Sequence, residues 1–126
     1  MNFVCKLDRE LYSVVTKDIA SDDVIITDKQ IEHIKERHPN DFELFAKFFA
    51  EMIRDPDYIL EANKPNTAIV LKEVEVDGRK LKLILRLKTS ADPAEYKTSI
   101  ITFQHIREKE WRRVIRNIKI LYSKTS

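Results

Sequence analysis

The chain of 126 residues has 43% hydrophobic and 35% charged residues, a composition that predicts one globular domain over residues 1–126 and excludes a disordered chain. Its net charge of +2 is uneven: residues 1–77 hold 10 Lys/Arg against 17 Asp/Glu, and residues 78–126 hold 13 against 4. No apolar run approaches the ~18 residues of a membrane span and no signal-peptide core is present. We therefore expect a soluble, cytoplasmic protein, with a buried, unreactive thiol at its single cysteine, Cys5.

The N-terminal half predicts one short strand followed by helices. The strand is the apolar stretch at residues 24–26. A first helix is predicted to begin at Thr27, which can cap it, and to end before Pro39. Between them Ile31, Ile34 and His38 form one stripe at i, i+3 and i+7 spacing. A second, strongly apolar helix runs from Phe42 to Ile53, and we expect it to form the main core beneath a sheet.

The C-terminal half is typical of an antiparallel sheet. Its strongest local signal is Asp77-Gly78, a hairpin turn that contains the only glycine of the chain. The predicted elements are strands at 57–61, 67–76, 79–89 and 97–105, a helix at 107–117 and a strand at 119–122. The expected fold is α+β, with N-terminal helices packed on an antiparallel β-meander and a C-terminal helix.

Alternation along two strands predicts a sheet with a core face and a basic open face. Within strand 79–89 one face carries Leu81, Leu83, Leu85 and Leu87, and the other carries Lys80, Lys82, Ile84, Arg86 and Lys88. In strand 97–105 we assign Ser99, Ile101, Phe103 and His105 to the core and Thr98, Thr102 and Gln104 to the open face. A one-residue bulge would exchange these two sets.

Several common types of site are excluded by the motifs that are missing. The chain has no Gly-rich phosphate loop, no Cys-x-x-Cys pair and no His-Glu-x-x-His, and His33 and His38 are poorly spaced for a metal. We therefore expect no metal and no cofactor. Acid–base chemistry remains, and cleavage of RNA by its own 2′-hydroxyl needs only a base, an acid and a cation beside the phosphate.

His38 is the best acid–base candidate, because it ends a helix beside a proline and the helix C-terminus favours its charged form. The alternative is that His38 only continues the apolar stripe and caps the helix. For His33 a solvated helix face is the simpler interpretation. The basic half likewise has two interpretations, a surface for a polyanion or a charge balance with the acidic half.

Seven short runs carry a resemblance to a known family: Ile26-Thr27-Asp28, Ile31-Glu32-His33-Ile34, Arg37-His38-Pro39, Asp55-Pro56-Asp57-Tyr58-Ile59, Leu85-Arg86-Leu87-Lys88-Thr89, Ser99-Ile100-Ile101-Thr102-Phe103 and Lys109-Glu110-Trp111. Across residues 24–122 they resemble the phage- and toxin-associated nucleases of the barnase–EndoU–colicin–RelE-like fold. The resemblance implies a metal-independent ribonuclease, often a toxin, with RNA as substrate and an antitoxin or immunity protein as a possible partner.

Matching positions imply the site residues. The catalytic set would be His38, Arg86, Lys88 and Thr102, with Arg37, Ser99 and His33 as substrate-binding residues. The EndoU-like pattern includes a second histidine. If His33 does not fill that role, Lys88 or Arg86 must carry more of the work, as in RelE-like members.

Three hypotheses follow from these patterns. A ribonuclease predicts that His38, Arg86, Lys88 and Thr102 converge in one cleft. A non-catalytic module that binds RNA or a protein needs only a broad basic patch with aromatic side chains, for which Tyr96 and Tyr122 are the candidates. A protein that works through its acidic half predicts instead that the strand cations are taken up in internal ion pairs.

Overall fold

Within residues 1–124, which the computed structural model describes, seven strands form one sheet and five α-helices accompany it. The strands are β1 (Asn2–Lys6), β2 (Asp23–Ile26), β3 (Tyr58–Glu61), β4 (Thr67–Glu73), β5 (Lys80–Arg86), β6 (Thr98–Ile106) and β7 (Ile120–Ser123). The helices are α1 (Arg9–Tyr12), α2 (Asp28–Arg37), α3 (Asp41–Phe45), α4 (Phe49–Arg54) and α5 (Glu108–Asn117).

The strand order corrects the expected topology in two respects. The sheet runs β1-β2-β6-β5-β4-β3-β7, and the chain therefore opens with a strand rather than with helices. The β2–β6 pair is parallel, whereas the other neighbouring pairs are antiparallel. Residues 27–97 separate β2 from β6, a connection long enough to allow parallel pairing. The fold class, mixed α+β, is as predicted.

The N-terminal helices pack on the leucine face of β5. Thr27 caps α2 as predicted, since its hydroxyl accepts the amide of Gln30 at 3.1 Å. The predicted long helix is split by a 3₁₀ turn, Ala46–Phe48, into α3 and α4, but it still provides the core. The buried side chains of this layer include Leu81, Leu83, Leu85, Leu87, Ile34, Phe45, Phe49, Met52 and Ile53.

Helix α5 lies on the other face of the sheet, which was expected to be open. Its buried Trp111 and Val114 pack with Leu60, Ile69 and Leu71 of β3 and β4 in a second core. Strands β3 and β4 have apolar residues on both faces. The N-terminal helices cover one of these faces and α5 covers the other. The cationic face of β5 is therefore open only on the side away from α5.

A β-bulge in β6 decides which of its side chains reach the open face. Ile84 pairs with Thr102 but Leu85 pairs with Ile100, so Ile101 is the extra residue. Thr102 and Gln104 lie on the open face and Phe103 on the core face, as predicted. Before the bulge the predicted faces are wrong: Thr98 and Ile100 are fully buried, while Ser99 stands opposite Arg86.

The hairpin predicted at Asp77-Gly78 is confirmed, but its connection is longer than predicted: β4 ends at Glu73, a 3₁₀ turn spans Val76–Gly78, and β5 begins at Lys80. Asp77 and Gly78 both have positive φ, 59° and 58°, which costs an L-residue more than a glycine. We expect Gly78→Ala to lower the free energy of unfolding by about 1–2 kcal/mol, measured by urea denaturation. Glu75→Ala, an exposed change in the same turn, is the control and should stay within about 0.5 kcal/mol. An equally small effect of Gly78→Ala would contradict the turn geometry.

Candidate active site

Arg86 lies near the middle of the sheet, on the face opposite to α2, α3 and α4. The strand registers place Thr67 of β4 on one side of it and Ser99 of β6 on the other. Both hydroxyl residues are buried, whereas the Arg86 side chain keeps 26% of its surface exposed. A guanidinium thus sits between two hydroxyl side chains on the open part of the sheet.

Asp92, in the loop between β5 and β6, holds the Arg86 guanidinium. Its carboxylate accepts from Nη2 at 2.9 Å and from Nη1 at 3.2 Å, and Nη1 also donates to the Leu87 carbonyl. The Tyr96 ring centroid lies 5.5 Å from the guanidinium carbon. Arg86 Nε has no hydrogen-bond acceptor within residues 1–124. This edge of a fixed guanidinium is free for an anionic ligand, and phosphate fits such an edge in a bidentate manner.

The Asp92 carboxylate is itself fixed and charged. It accepts from the Thr89 amide at 2.7 Å, and only 15% of its side chain is exposed. The Thr89 amide, with Arg86 as a further cause, lowers the pKa of Asp92 below its usual range. A carboxyl whose pKa is lowered in the folded protein stabilises the fold fully at pH values above its ordinary pKa. This stabilisation is lost only as the pH falls through the lowered pKa. The Arg86–Asp92 pair is therefore intact at neutral pH.

Two other predicted residues share this face. Lys88 follows the buried Leu87, so it lies on the Arg86 side, where its Nζ donates to the Ala94 carbonyl at 2.8 Å. Thr102 stands opposite Ile84, two cross-strand pairs from Arg86 and Ser99 and next to them on the same face. The structure thus brings Arg86, Lys88, Ser99 and Thr102 to one face.

The three predicted residues of α2 lie elsewhere. His33 and Arg37 are exposed on the helix, and His38 caps it, its amide donating to the Ile34 carbonyl at 2.8 Å. Buried Ile34 ties α2 to the leucine face, opposite to Arg86.

The end of α2 is also displaced along the sheet. Asp41, three residues after His38, accepts the amide of His105, six residues along β6 from Ser99, or roughly 20 Å of strand. The expected convergence of His38 with Arg86, Lys88 and Thr102 is therefore wrong, because α2 packs on the other face and ends at the other end of β6.

The four cations predicted on the open face of strand 79–89, Lys80, Lys82, Arg86 and Lys88, are partly neutralised within the fold. Lys80 Nζ lies 3.0 Å from a Glu108 oxygen and 3.6 Å from a Glu73 oxygen. Arg86 is paired with Asp92, a loop residue and not an N-terminal carboxylate. Two of the four cations are thus in internal ion pairs, so the surface is a local site around Arg86 rather than a uniform basic patch.

A cavity of about 530 Å³ opens beside Arg86, and no pattern in the sequence predicts it. Its walls are Thr67, Ile84, Arg86, Ile101 and the loop residues 62–65 between β3 and β4. Asp92 was missed in the same way, because it comes from a loop that no periodic pattern connects to Arg86. Within residues 1–124, no group of three His, Cys, Asp or Glu side chains could hold a metal ion. In the same part of the chain, no helix has the length and apolar character of a membrane span.

A comparison with protein families matches residues 4–123 to PBECR2, the phage-Barnase-EndoU-ColicinE5/D-RelE like nuclease2 family. Neither the curated proteins nor the solved structures include a significant match to the chain. The family match covers nearly the whole sheet and all five helices, and it includes every residue placed around Arg86. The chain therefore belongs to this family of phage Barnase-EndoU-ColicinE5/D-RelE like nucleases.

Proposed function

We propose that the protein is a metal-independent endoribonuclease that acts as a toxin and cleaves RNA by attack of the 2′-hydroxyl, leaving a 2′,3′-cyclic phosphate. The observation that carries the proposal is the fixed Arg86 guanidinium, which lines the cavity and whose Nε has no acceptor within residues 1–124. Membership of a nuclease family supports a nucleic-acid substrate. An antitoxin or immunity protein would be its cellular partner.

Arg86 supplies the electrostatic part of the mechanism. Its free edge binds two oxygens of the scissile phosphate, and the charge that builds on them in the transition state strengthens both hydrogen bonds. Because Asp92 and Tyr96 already hold the guanidinium, little reorganisation is needed when the phosphate arrives. Ser99, opposite Arg86, is the neighbouring hydroxyl that can donate to the same phosphate.

Proton transfer falls to residues other than histidine. His38 and His33 belong to α2, and the His105 ring packs 5.3 Å from Phe45 on the core side of the sheet. Lys88, on the Arg86 face, carries an ammonium that can protonate the departing 5′-oxygen, while the proton of the attacking 2′-hydroxyl passes to solvent water, from which Lys88 then regains its proton. This division of work matches the alternative in which Arg86 and Lys88 replace a catalytic histidine pair.

The test is cleavage of total cellular RNA by the purified protein in excess EDTA. We expect discrete fragments that end in 2′,3′-cyclic phosphate from the native protein, and none from the folded Arg86→Ala/Lys88→Ala variant. Arg112→Ala, which removes an exposed arginine of α5, is the matched control and should cut normally. Cleavage that needs added Mg²⁺ would contradict the mechanism. RNA that is bound but never cut would favour the alternative, a non-catalytic binding module.

A further inference from the structure

The cavity beside Arg86 has the composition of a site for a flat organic ring. Its apolar walls are Ala62, Pro65, Ile84 and Ile101, and Arg86 lies among them. Its volume of about 530 Å³ falls within the roughly 300–1,000 Å³ that is usual for small-ligand sites. A planar ring that lies between aliphatic side chains, with an attached phosphate at Arg86, satisfies both the apolar and the charged parts of the wall.

The loop that forms the outer wall is held in place before any ligand binds. The Thr67 hydroxyl donates to the Pro65 carbonyl at 2.9 Å, and the Leu87 amide donates to the Asn66 carbonyl at 2.8 Å. Asn66 adopts a positive φ of 58°, and Pro65 restricts the backbone just before it. The cavity is therefore preformed, as sites that select among ligands usually are.

Two polar side chains on this loop have no partner in the described part of the chain. Asn63 and Lys64 both line the cavity, and neither makes a hydrogen bond or an ion pair with residues 1–124. An amide offers an acceptor and two donors side by side, which matches the hydrogen-bonding edge of a nucleobase. Single-stranded RNA is read in this way, through stacked bases whose edges are hydrogen-bonded.

We propose that the cavity holds the nucleobase next to the scissile phosphate of single-stranded RNA, and that Asn63 determines which base is accepted. The proposal rests on the proposed function, since it takes the phosphate at Arg86 to be the one that is cut. Asn63 acts on the base and has no part in the proton transfers. Its loss should change which sites are cut more than how fast RNA is cut.

The test uses the four ribonucleoside 3′-monophosphates as probes, with binding measured by titration calorimetry. We expect the native protein to prefer one base by about 5- to 150-fold, the range of a bidentate amide–base pair, and Asn63→Ala to lose that preference. Asn63 is exposed, so this variant should fold normally. Gln30→Ala removes an amide from α2, on the other side of the sheet, and should keep the preference.

Cleavage of four short RNAs that differ only in the base before one cleavage site gives the second measurement. Equal binding of all four probes, or a preference that survives in Asn63→Ala, would overturn the base-reading role while leaving any RNA cleavage to support the nuclease. If the protein prefers one base through Asn63 but cuts none of the RNAs, the result would support the base site and contradict the proposed catalysis.

Discussion

Replacing Arg86 with alanine should slow RNA cleavage by about 10²- to 10³-fold, the usual cost of removing one preorganised donor from a charged transition state. The Arg86 guanidinium stands between Thr67 and Ser99 on the open face, and its Nε has no acceptor within residues 1–124, so it can donate to a phosphate. Arg86→Lys keeps the positive charge but loses the planar fork, so we expect it to restore only part of the rate.

The measurement is single-turnover cleavage of a short RNA with one defined cleavage site. Loss of Arg86 leaves the Asp92 carboxylate with Thr89 as its remaining partner, so folding must be checked by circular dichroism. The double variant Arg86→Ala/Asp92→Ala removes both charges and should be as slow as the single variant. If Arg86→Ala cuts RNA normally and His38→Ala does not, the active centre lies on the α2 face and the proposed site is wrong.

The sequence predicts best those features whose cause is local. Leu81, Leu83 and Leu85 of β5, with Leu87 just after it, occupy every second position, so alternation alone predicts the core face and places Arg86 correctly on the other face. The caps and stops of α2 are also local, and Thr27 fulfils its predicted role. The two positive φ angles at Asp77 and Gly78 are also local, and the dipeptide indicates them directly, although it does not indicate the full length of the connection.

The features that define the site depend on contacts between distant parts of the chain. The bulge at Ile101 lies in a run of two isoleucines that fits either face, so no residue type marks it and Ser99 was assigned to the core. The predicted stripe of Ile31, Ile34 and His38 does not tell which face of the sheet the helix covers, and His38 itself lies just past the end of α2 as its C-cap. The pairing of Asp92 with Arg86 likewise needs the loop conformation, which periodicity does not describe.

Replacing Phe103 with alanine should lower the free energy of unfolding by about 3–5 kcal/mol, since it empties the centre of the core. Phe103 is fully buried in β6 opposite Leu83, and its ring lies 4.8 Å from that of Phe49 and 6.2 Å from that of Phe45. Such a loss is a large part of the roughly 5–15 kcal/mol that holds a small domain together. Urea denaturation followed by tryptophan fluorescence measures it.

Phe103→Leu is the matched control, because it keeps most of the apolar volume and should cost clearly less than the alanine variant. The pair also separates stability from catalysis. Phe103 faces the helical core and Arg86 faces the opposite side, so folded Phe103→Leu protein should cut RNA at close to the native rate. Full loss of cleavage in a stably folded Phe103→Leu variant would mean that the chemistry depends on the helical face. Native stability of Phe103→Ala would mean that this side chain is not at the centre of the core.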